Sequence, residues 1–239
     1  MSTLLVIRHG QARFLTEDYD RLSELGVGQA RALGEAWVQA GIQPTHAFAG
    51  SLVRQQATAT ACAEAFAAAG LPFPPVECVP ELNEYDGDRL VAELAPRLAG
   101  HDAEVRARMS ELEGAAEGKA RYRAVHRLLE TTMERWIEDV PEVEAAGLPR
   151  WQTFSDGVRA ALLACQVPAS GATVAVFTSG GPVGISVQSV LGAPEVAAAA
   201  LNWRVINASV TKFTYSSDRI SLDAFNTTAH LDAEQVTYR

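Results

Sequence analysis

The first apolar run along the chain, Leu4-Leu5-Val6-Ile7, is followed without a break by Arg8-His9-Gly10. An unbroken apolar run ending in β-branched residues predicts a short strand buried on both faces. Residues 11–22 are largely polar and read as a loop over the end of that strand. Ser23 then offers an N-cap, Ala30, Leu33, Trp37 and Ala40 recur at helical spacing, and Gly41 supplies the stop. A helix from the Ser23 cap through 39 is therefore expected. A second short strand follows at 46–49, then a helix over 52–69 with an Ala-rich tail suited to close packing on a sheet. Gly70, Pro72, Pro74 and Pro75 form its exit, and 76–79 is a third strand. This βαβαβ order implies a mainly parallel sheet with right-handed crossovers.

The pattern changes after Gly87. Residues 88–138 are rich in Glu, Arg, Leu and Ala and read as two or three helices, with Gly100, Gly114 and Gly118 as breaks. Residues 141–151 link back to a helix over 154–165. The middle is thus a helical insertion, about 88–150, in one domain spanning 1–239. A cap over a pocket and a set of solvated helices without part in the site are both open readings of it. The apolar run 173–177 predicts a central strand, and 178–182 turns into a helix through Leu191, with Pro182 suited to its first turn. Alternation over 209–215 and 219–225, joined by Ser216-Ser217-Asp218, predicts a hairpin, and the tail from Asn226 reads as irregular. No internal repeat is found. The expected fold class is α/β: a three-layer sandwich, a mixed but mostly parallel sheet with helices on both faces and a helical insertion.

Length and composition agree with that picture: 239 residues suit one large domain, and 48% hydrophobic content suits a sizeable core. A net charge of −9 argues against a nucleic-acid or anionic-membrane surface, while a few arginines still suffice for a local cationic pocket. Residues 160–194 carry no charge, but Pro168, Gly171, Gly180, Gly181, Pro182 and Gly184 interrupt them, so no membrane span is expected. Met1-Ser2-Thr3 lacks the basic start of a signal peptide, and the apolar run after it is too short. Cys62, Cys78 and Cys165 are odd in number, far apart and not at metal-ligand spacing. They read as reduced, mostly buried thiols of a cytoplasmic protein, with an exposed reactive thiol as the alternative. No bound metal or cofactor is implied.

In open α/β sheets ligands gather beyond the carboxyl ends of the strands. There the first strand presents Arg8, a candidate anion clamp, His9, a candidate nucleophile or base, and Gly10, which would let the backbone approach a ligand. The second strand leads to Gly50-Ser51 and Arg54. The strand 173–177 leads to Ser179, Gly180 and Gly181, a nest of backbone donors for an anion at a helix start. After the third strand come Glu84, Tyr85 and Asp86. Two arginines, a histidine, helix starts and a carboxylate along one sheet edge make a phosphate-handling site, provided these strands are neighbours in space. Gln11 is a candidate phosphate contact. Tyr85 and Asp86 either line the pocket mouth or merely flank Glu84, and His46, His101 and His126 read as structural or solvated.

Leu5-Val6-Ile7-Arg8-His9-Gly10-Gln11-Ala12 resembles the opening signature of the histidine phosphatase superfamily, the phosphoglycerate-mutase-like proteins. Leu22-Ser23-Glu24-Leu25-Gly26-Val27-Gly28-Gln29-Ala30 is similar to that family's helix start. Ser51-Leu52-Val53-Arg54-Gln55-Gln56-Ala57-Thr58-Ala59 is similar to its second arginine motif. Leu82-Asn83-Glu84 with Gly87 resembles its acid-bearing loop, and 226–231, with His230, its usual ending. The resemblance implies His9 as a phosphorylated nucleophile, Arg8 and Arg54 as clamps on the phosphoryl oxygens, and Glu84 as proton donor. It implies no metal and no cofactor, and a small phosphate ester or a phosphoprotein as substrate. One position departs from the family: Thr178-Ser179-Gly180-Gly181 stands where Ser-His-Gly-Gly is usual, so Ser179 replaces a second histidine. A hydroxyl donates one hydrogen bond but carries no charge. Arg13 either restores a cation there or is a plain surface arginine. The implied function is phosphomonoester hydrolysis through a phosphohistidine, at reduced activity. The alternatives are a non-catalytic phosphate-binding or protein-interaction module and a mutase-type phosphoryl transfer. The residues after Gly10 do not continue into the mutases' Glu-Ser-x-Trp-Asn pattern. No heptad or exposed apolar seam indicates an oligomer.

Overall fold

Strand β1 (Ser2–Arg8) is buried almost throughout because both its edges are paired and both its faces are covered. The computed structural model describes residues 1–13 and 20–238. The chain forms two compact units, Met1–Glu84 with Gly157–Arg239, and Tyr85–Asp156. After β1 the first unit runs through α1 (Glu24–Ala40), β2 (His46–Ala49), α2 (Val53–Ala68) and β3 (Val76–Cys78). The second unit holds α3 (Gly87–Arg89), α4 (Ala95–Leu98), α5 (Ala103–Glu113), α6 (Lys119–Ile137) and α7 (Pro141–Ala145). Helix α8 (Trp151–Ala164) leads back to β4 (Thr173–Thr178), α9 (Gly180–Leu191), α10 (Val196–Asn202), β5 (Val210–Tyr215) and β6 (Ile220–Thr227).

The sheet has the order β3-β2-β4-β1-β5-β6. The first four of these strands run parallel, while β5 and β6 are antiparallel neighbours at one edge. The chain steps outward from β1 to β2 and β3, then returns to insert β4 between β2 and β1. Right-handed crossovers in opposite directions place helices on opposite faces. Alternation decides the rest: Leu5, Ile7, Ala175 and Phe177 pack with Leu33 and Trp37 of α1 and with Ala59, Cys62 and Phe66 of α2. Leu4, Val6, Val174 and Val176 point to the other face and are equally buried.

Local signals account for the element ends. The Ser23 side chain accepts from the Gly26 N–H, and Gly41, at φ 68°, closes α1 with bonds to the Trp37 and Val38 carbonyls. The predicted hairpin is present, with Phe213 opposite Leu222. Two features go beyond the expected pattern. Helix α10 was not anticipated; its Ala-rich turn packs so closely on α9 that a Cβ on Gly184 would lie 2.3 Å from the Ala198 carbonyl oxygen. The tail from Asn226 is not irregular throughout. β6 extends to Thr227, Asn226 takes the left-handed conformation at φ 59°, and a 3₁₀ turn forms at Ala233–Gln235. Gln29 on α1 holds this tail by donating to the Gln235 carbonyl and the Thr237 hydroxyl.

The second unit contains residues 88–150 and is more finely divided than two or three helices. Pro96 has no N–H for the Ala92 carbonyl, and the preceding turn, Leu90–Leu94, widens into a π-helix. Gly114 caps α5, and Gly118, at φ 84°, opens α6. Asp102 caps α5 and pairs with Arg135 of α6 at 2.7 Å; the Arg135 hydrogen bond, with that of the Val105 N–H, holds its carboxyl below the usual range. No helix among the described residues is long and apolar enough to cross a membrane.

In the first unit, burial lowers the pKa of His230 from the ordinary 6.5, against a smaller opposing pull from its hydrogen bond to the Ala208 backbone. The unfolded chain therefore binds a proton at a pH where the native imidazole is still neutral. The stabilisation is complete above about pH 6.5 and is lost as the pH falls below that value. Urea midpoints measured from pH 7.5 to 5 should fall in this window, with a slope of at most about 1.4 kcal/mol per pH unit from one proton. His230→Asn should flatten that part of the curve, whereas the contribution of Asp102 is complete above about pH 4 and is lost only as the pH falls below it.

Candidate active site

The ladder between β1 and β4 continues one residue past the strand ends, with the His9 N–H donating to the Thr178 carbonyl at 2.8 Å. Nucleophile candidate and the Thr178-Ser179 turn thus leave the sheet side by side. The His9 ring is 6% exposed and its tautomer is determined from both sides. Nδ1 lies 2.7 Å from the Gly10 carbonyl oxygen, which can only accept, and Nε2 accepts from Arg54 Nε at 3.2 Å. The imidazole is therefore neutral, protonated at Nδ1, with its Nε2 lone pair facing the Arg54 guanidinium.

Arg54 sits in the first turn of α2 and is itself buried. Its Nη1 donates to Asp20 Oδ1 at 2.7 Å, and the Val53 N–H at the start of α2 donates to Asp20 Oδ2 at 2.9 Å. Thr58, one turn on, accepts from the Gly10 N–H and donates to the Arg54 carbonyl, tying the β1 exit to α2. The absence of a side chain on Gly10 is required by the backbone of α1. A Cβ there would lie 2.3 Å from the Gly26 carbonyl oxygen, and one on Gly26 would lie 2.1 Å from the Gln11 carbonyl oxygen. Both glycines are needed because the start of α1 runs directly against the β1 exit.

The remaining strand ends are joined by buried amides and hydroxyls. The Leu82 carbonyl accepts from Thr178 Oγ1 at 2.6 Å and from Gln55 Nε2 at 3.1 Å, which holds the acid-bearing loop against β4. Asn83 exchanges two hydrogen bonds with Ser51, its Oδ1 accepting from the Ser51 N–H and its Nδ2 donating to the Ser51 hydroxyl, both 2.7 Å, holding the same loop to the β2 end. Gln55 Nε2 also donates to Ser179 Oγ at 2.9 Å, and both side chains are fully buried. The two oxygens of Glu84 accept from the Gly181 N–H at 3.1 Å each, so a carboxylate occupies the start of α9.

The structure brings His9, Arg54, Glu84 and Ser179 to one end of the sheet through these contacts. Arg8 turns to the Val205 and Tyr238 carbonyls, pinning the tail. The Gln11 side chain accepts from the Ser23 hydroxyl at the α1 cap, and Gly180 packs against Asn202. Arg13 is exposed, its N–H pairing with the Arg21 carbonyl. Of the expected covering loop, residues 14–19 lie outside the described residues. Within the second unit Tyr85 packs edge-on against Phe154 and beside Trp136, and Asp86 accepts from the Arg89 N–H. His101 pairs with Glu142, and His126 stacks edge-on with Tyr122. Cys62 and Cys165 are buried thiols pushed up to about 12, while Cys78 is exposed. Among the described residues no group of three or more His, Cys, Asp or Glu is arranged to hold a metal ion. Gln55, Thr58, Asn83 and Asp20 are the polar residues that motif reading passed over. A polar side chain on the buried face of α2 was the available signal for the first two.

A family model described as the histidine phosphatase superfamily (branch 1) matches residues 4–93 and 89–228. Comparison with curated proteins gives no match. Among solved structures the chain is similar to a phosphoglycerate mutase from Bacillus anthracis str. Sterne, at 18% identity and a TM-score of 0.63, covering 96% of this chain and 94% of that one. It is also similar to a phosphoserine phosphatase from Entamoeba histolytica, at 15% identity and a TM-score of 0.56, covering 96% and 99%. A mycobacterial glucosyl-3-phosphoglycerate phosphatase matches at 22% identity and a TM-score of 0.55, covering 95% and 99%. Such identities speak for a shared fold, whereas the family model runs through the His9, Arg54 and Glu84 motifs and most of the remaining chain. The chain belongs to the histidine phosphatase superfamily, branch 1.

Proposed function

We propose that this protein hydrolyses phosphomonoesters through a phosphohistidine on His9. The observation that carries the reading is the neutral His9 imidazole, held at Nδ1 by Gly10 and presenting Nε2 to the buried Arg54 guanidinium. The Nε2 lone pair attacks phosphorus in line with the leaving ester oxygen, and the P–O bond breaks as the P–N bond forms. Arg54 neutralises charge on the equatorial oxygens, with Arg8 assigned the same role from its motif. Glu84, whose carboxylate accepts from the Gly181 N–H, takes the proton of the monoanionic ester as it binds and gives it to the leaving alkoxide. The resulting carboxylate then takes a proton from the water that attacks phosphohistidine, releasing phosphate and restoring neutral His9. Neither step calls on a metal or an organic cofactor. A small phosphate ester or a phosphoprotein is the substrate class, and the free cysteines fit a cytoplasmic setting.

Ser179 takes the position of the family's second histidine, and Gln55 changes what that means. Its amide donates to the Ser179 oxygen, so the Ser179 proton is free to point elsewhere, toward the phosphoryl group in this reading. Gly50 makes room for the arrangement, since a Cβ there would lie 2.0 Å from Gln55 Oε1. Ser179 and Gln55 thus act as one unit, a neutral donor in place of a cationic one.

Incubation with a labelled ester and rapid quenching in alkali, where phosphohistidine survives, should trap label on the wild-type chain and none on His9→Ala. Arg54→Ala should lose about 3–4 kcal/mol of transition-state stabilisation. A folded wild-type protein that is never labelled on a broad ester panel would favour the non-catalytic binding module.

Glu84→Gln should slow alkyl phosphates far more than activated aryl phosphates, whose leaving groups need little protonation. Equal losses on both would remove Glu84 from the acid role.

Ser179→His alone should destabilise the fold by about 1–3 kcal/mol, because the imidazole overfills the space shared with Gln55. Adding Gln55→Ala should relieve the crowding and raise turnover above that of the single variant, by up to about 10²–10³ for one added charged donor. A double variant no faster than Ser179→His would separate Gln55 from this position.

A further inference from the structure

Asp20 has no place in the mechanism above, yet it makes a close contact with the Arg54 guanidinium, at 2.7 Å. Its carboxylate bridges two donors of different origin: Arg54 Nη1 at 2.7 Å through one oxygen, and the Val53 N–H, at the start of the 16-residue helix α2, at 2.9 Å through the other. A guanidinium fork beside helix-start amides is the donor combination suited to a phosphoryl group. The neighbouring amides at this helix start are accounted for in the same way, the Ser51 N–H by Asn83 and the Leu52 N–H by Gln55. Those two acceptors are neutral amides, so the anionic one is Asp20. The pair is asymmetric in exposure, with the Arg54 side chain 10% exposed and that of Asp20 39%. The cation is built in and the anion approaches from the solvent side.

We infer that Asp20 is an internal competitor for the phosphoryl site: its carboxylate occupies the donors of Arg54 and α2 that a phosphate group needs, and a phosphate group binds by displacing it. This rests on the proposed assignment of Arg54 to the phosphoryl site. The physical reason for such a device lies in the cost of a buried guanidinium without a counter-charge. Asp20 supplies that charge and keeps Arg54 oriented, with Nε toward His9. The consequence is that apparent affinity falls by the fraction of molecules in which the carboxylate stands aside. Displacement is tolerable because the Asp20 carboxylate can return to water, whereas Arg54 must always find an anion. The same logic makes Asp20 a determinant of KM.

Binding of inorganic phosphate, measured by calorimetry on wild type, Asp20→Asn, Asp20→Ala, Arg54→Ala and the double variant Asp20→Asn with Arg54→Ala, tests this. Both Asp20 variants should bind phosphate more tightly, by about fivefold for the loss of one half-exposed ion pair, and KM for a phosphate ester should fall in proportion. In the Arg54→Ala background the Asp20 substitution should have a smaller effect, because only the Val53 N–H is then left for the two anions to share. Weaker or unchanged phosphate binding in both Asp20 variants, with binding still lost on Arg54→Ala, overturns the competitor and leaves the site assignment standing. Phosphate binding that survives Arg54→Ala undiminished overturns the site assignment itself.

Discussion

The parallel pairing of β1 with β4 is the constraint from which the site follows. Because β4 is inserted between β1 and β2, three consecutive strand ends open at one edge, and the loops carrying His9, Arg54 and Ser179 become neighbours. The bond from the His9 N–H to the Thr178 carbonyl extends the ladder beyond the strands and sets the height at which the imidazole emerges. A slip of one residue along this pair would turn Leu5 and Ile7 away from α1 and α2 and send His9 to the wrong side of the sheet. The register of the core and the geometry of the chemistry are one requirement.

Burial makes this site demanding in hydrogen bonds. Gln55, Thr58, Thr178 and Ser179 are fully buried, and each is bonded to a neighbouring strand end or loop. An unpaired polar group in such surroundings costs about as much as several favourable contacts return, so the members hold one another in place. The Leu82 carbonyl shows the point most plainly, since its two donors come from β4 and from α2. The loop that carries Glu84 is therefore as well anchored as the strands it follows.

Two helix starts face this edge, and each holds a carboxylate from elsewhere in the chain: Glu84 at α9 and Asp20 at α2. Helix starts favour negative charge, and these two residues satisfy that tendency internally. The charge balance of the site is consequently local. It does not follow from the net charge of −9, which bears on the outer surface. Ser179 and Gln55 belong to the same economy, because a neutral hydroxyl with a neutral amide behind it asks for no further counter-charge.

Local signals in the sequence were enough for most elements. The Ser23 cap, the Gly41 stop, the apolar runs of β1 and β4 and the alternation of β5 and β6 act over a few residues and are read directly from their spacing. The motifs likewise determined which side chains stand at the strand ends. Pro96, just after the π-turn Leu90–Leu94, is an equally local signal. What only the tertiary structure decided is which donor meets which acceptor. Gln55 and Ser179 are 124 positions apart, and Asp20 and Arg54 are 34 apart. Gly10 and Gly26, 16 positions apart, let the start of α1 run against the β1 exit. These pairings depend on where β4 enters the sheet and how closely α1 and α2 approach it, and periodicity along one segment carries no information about that.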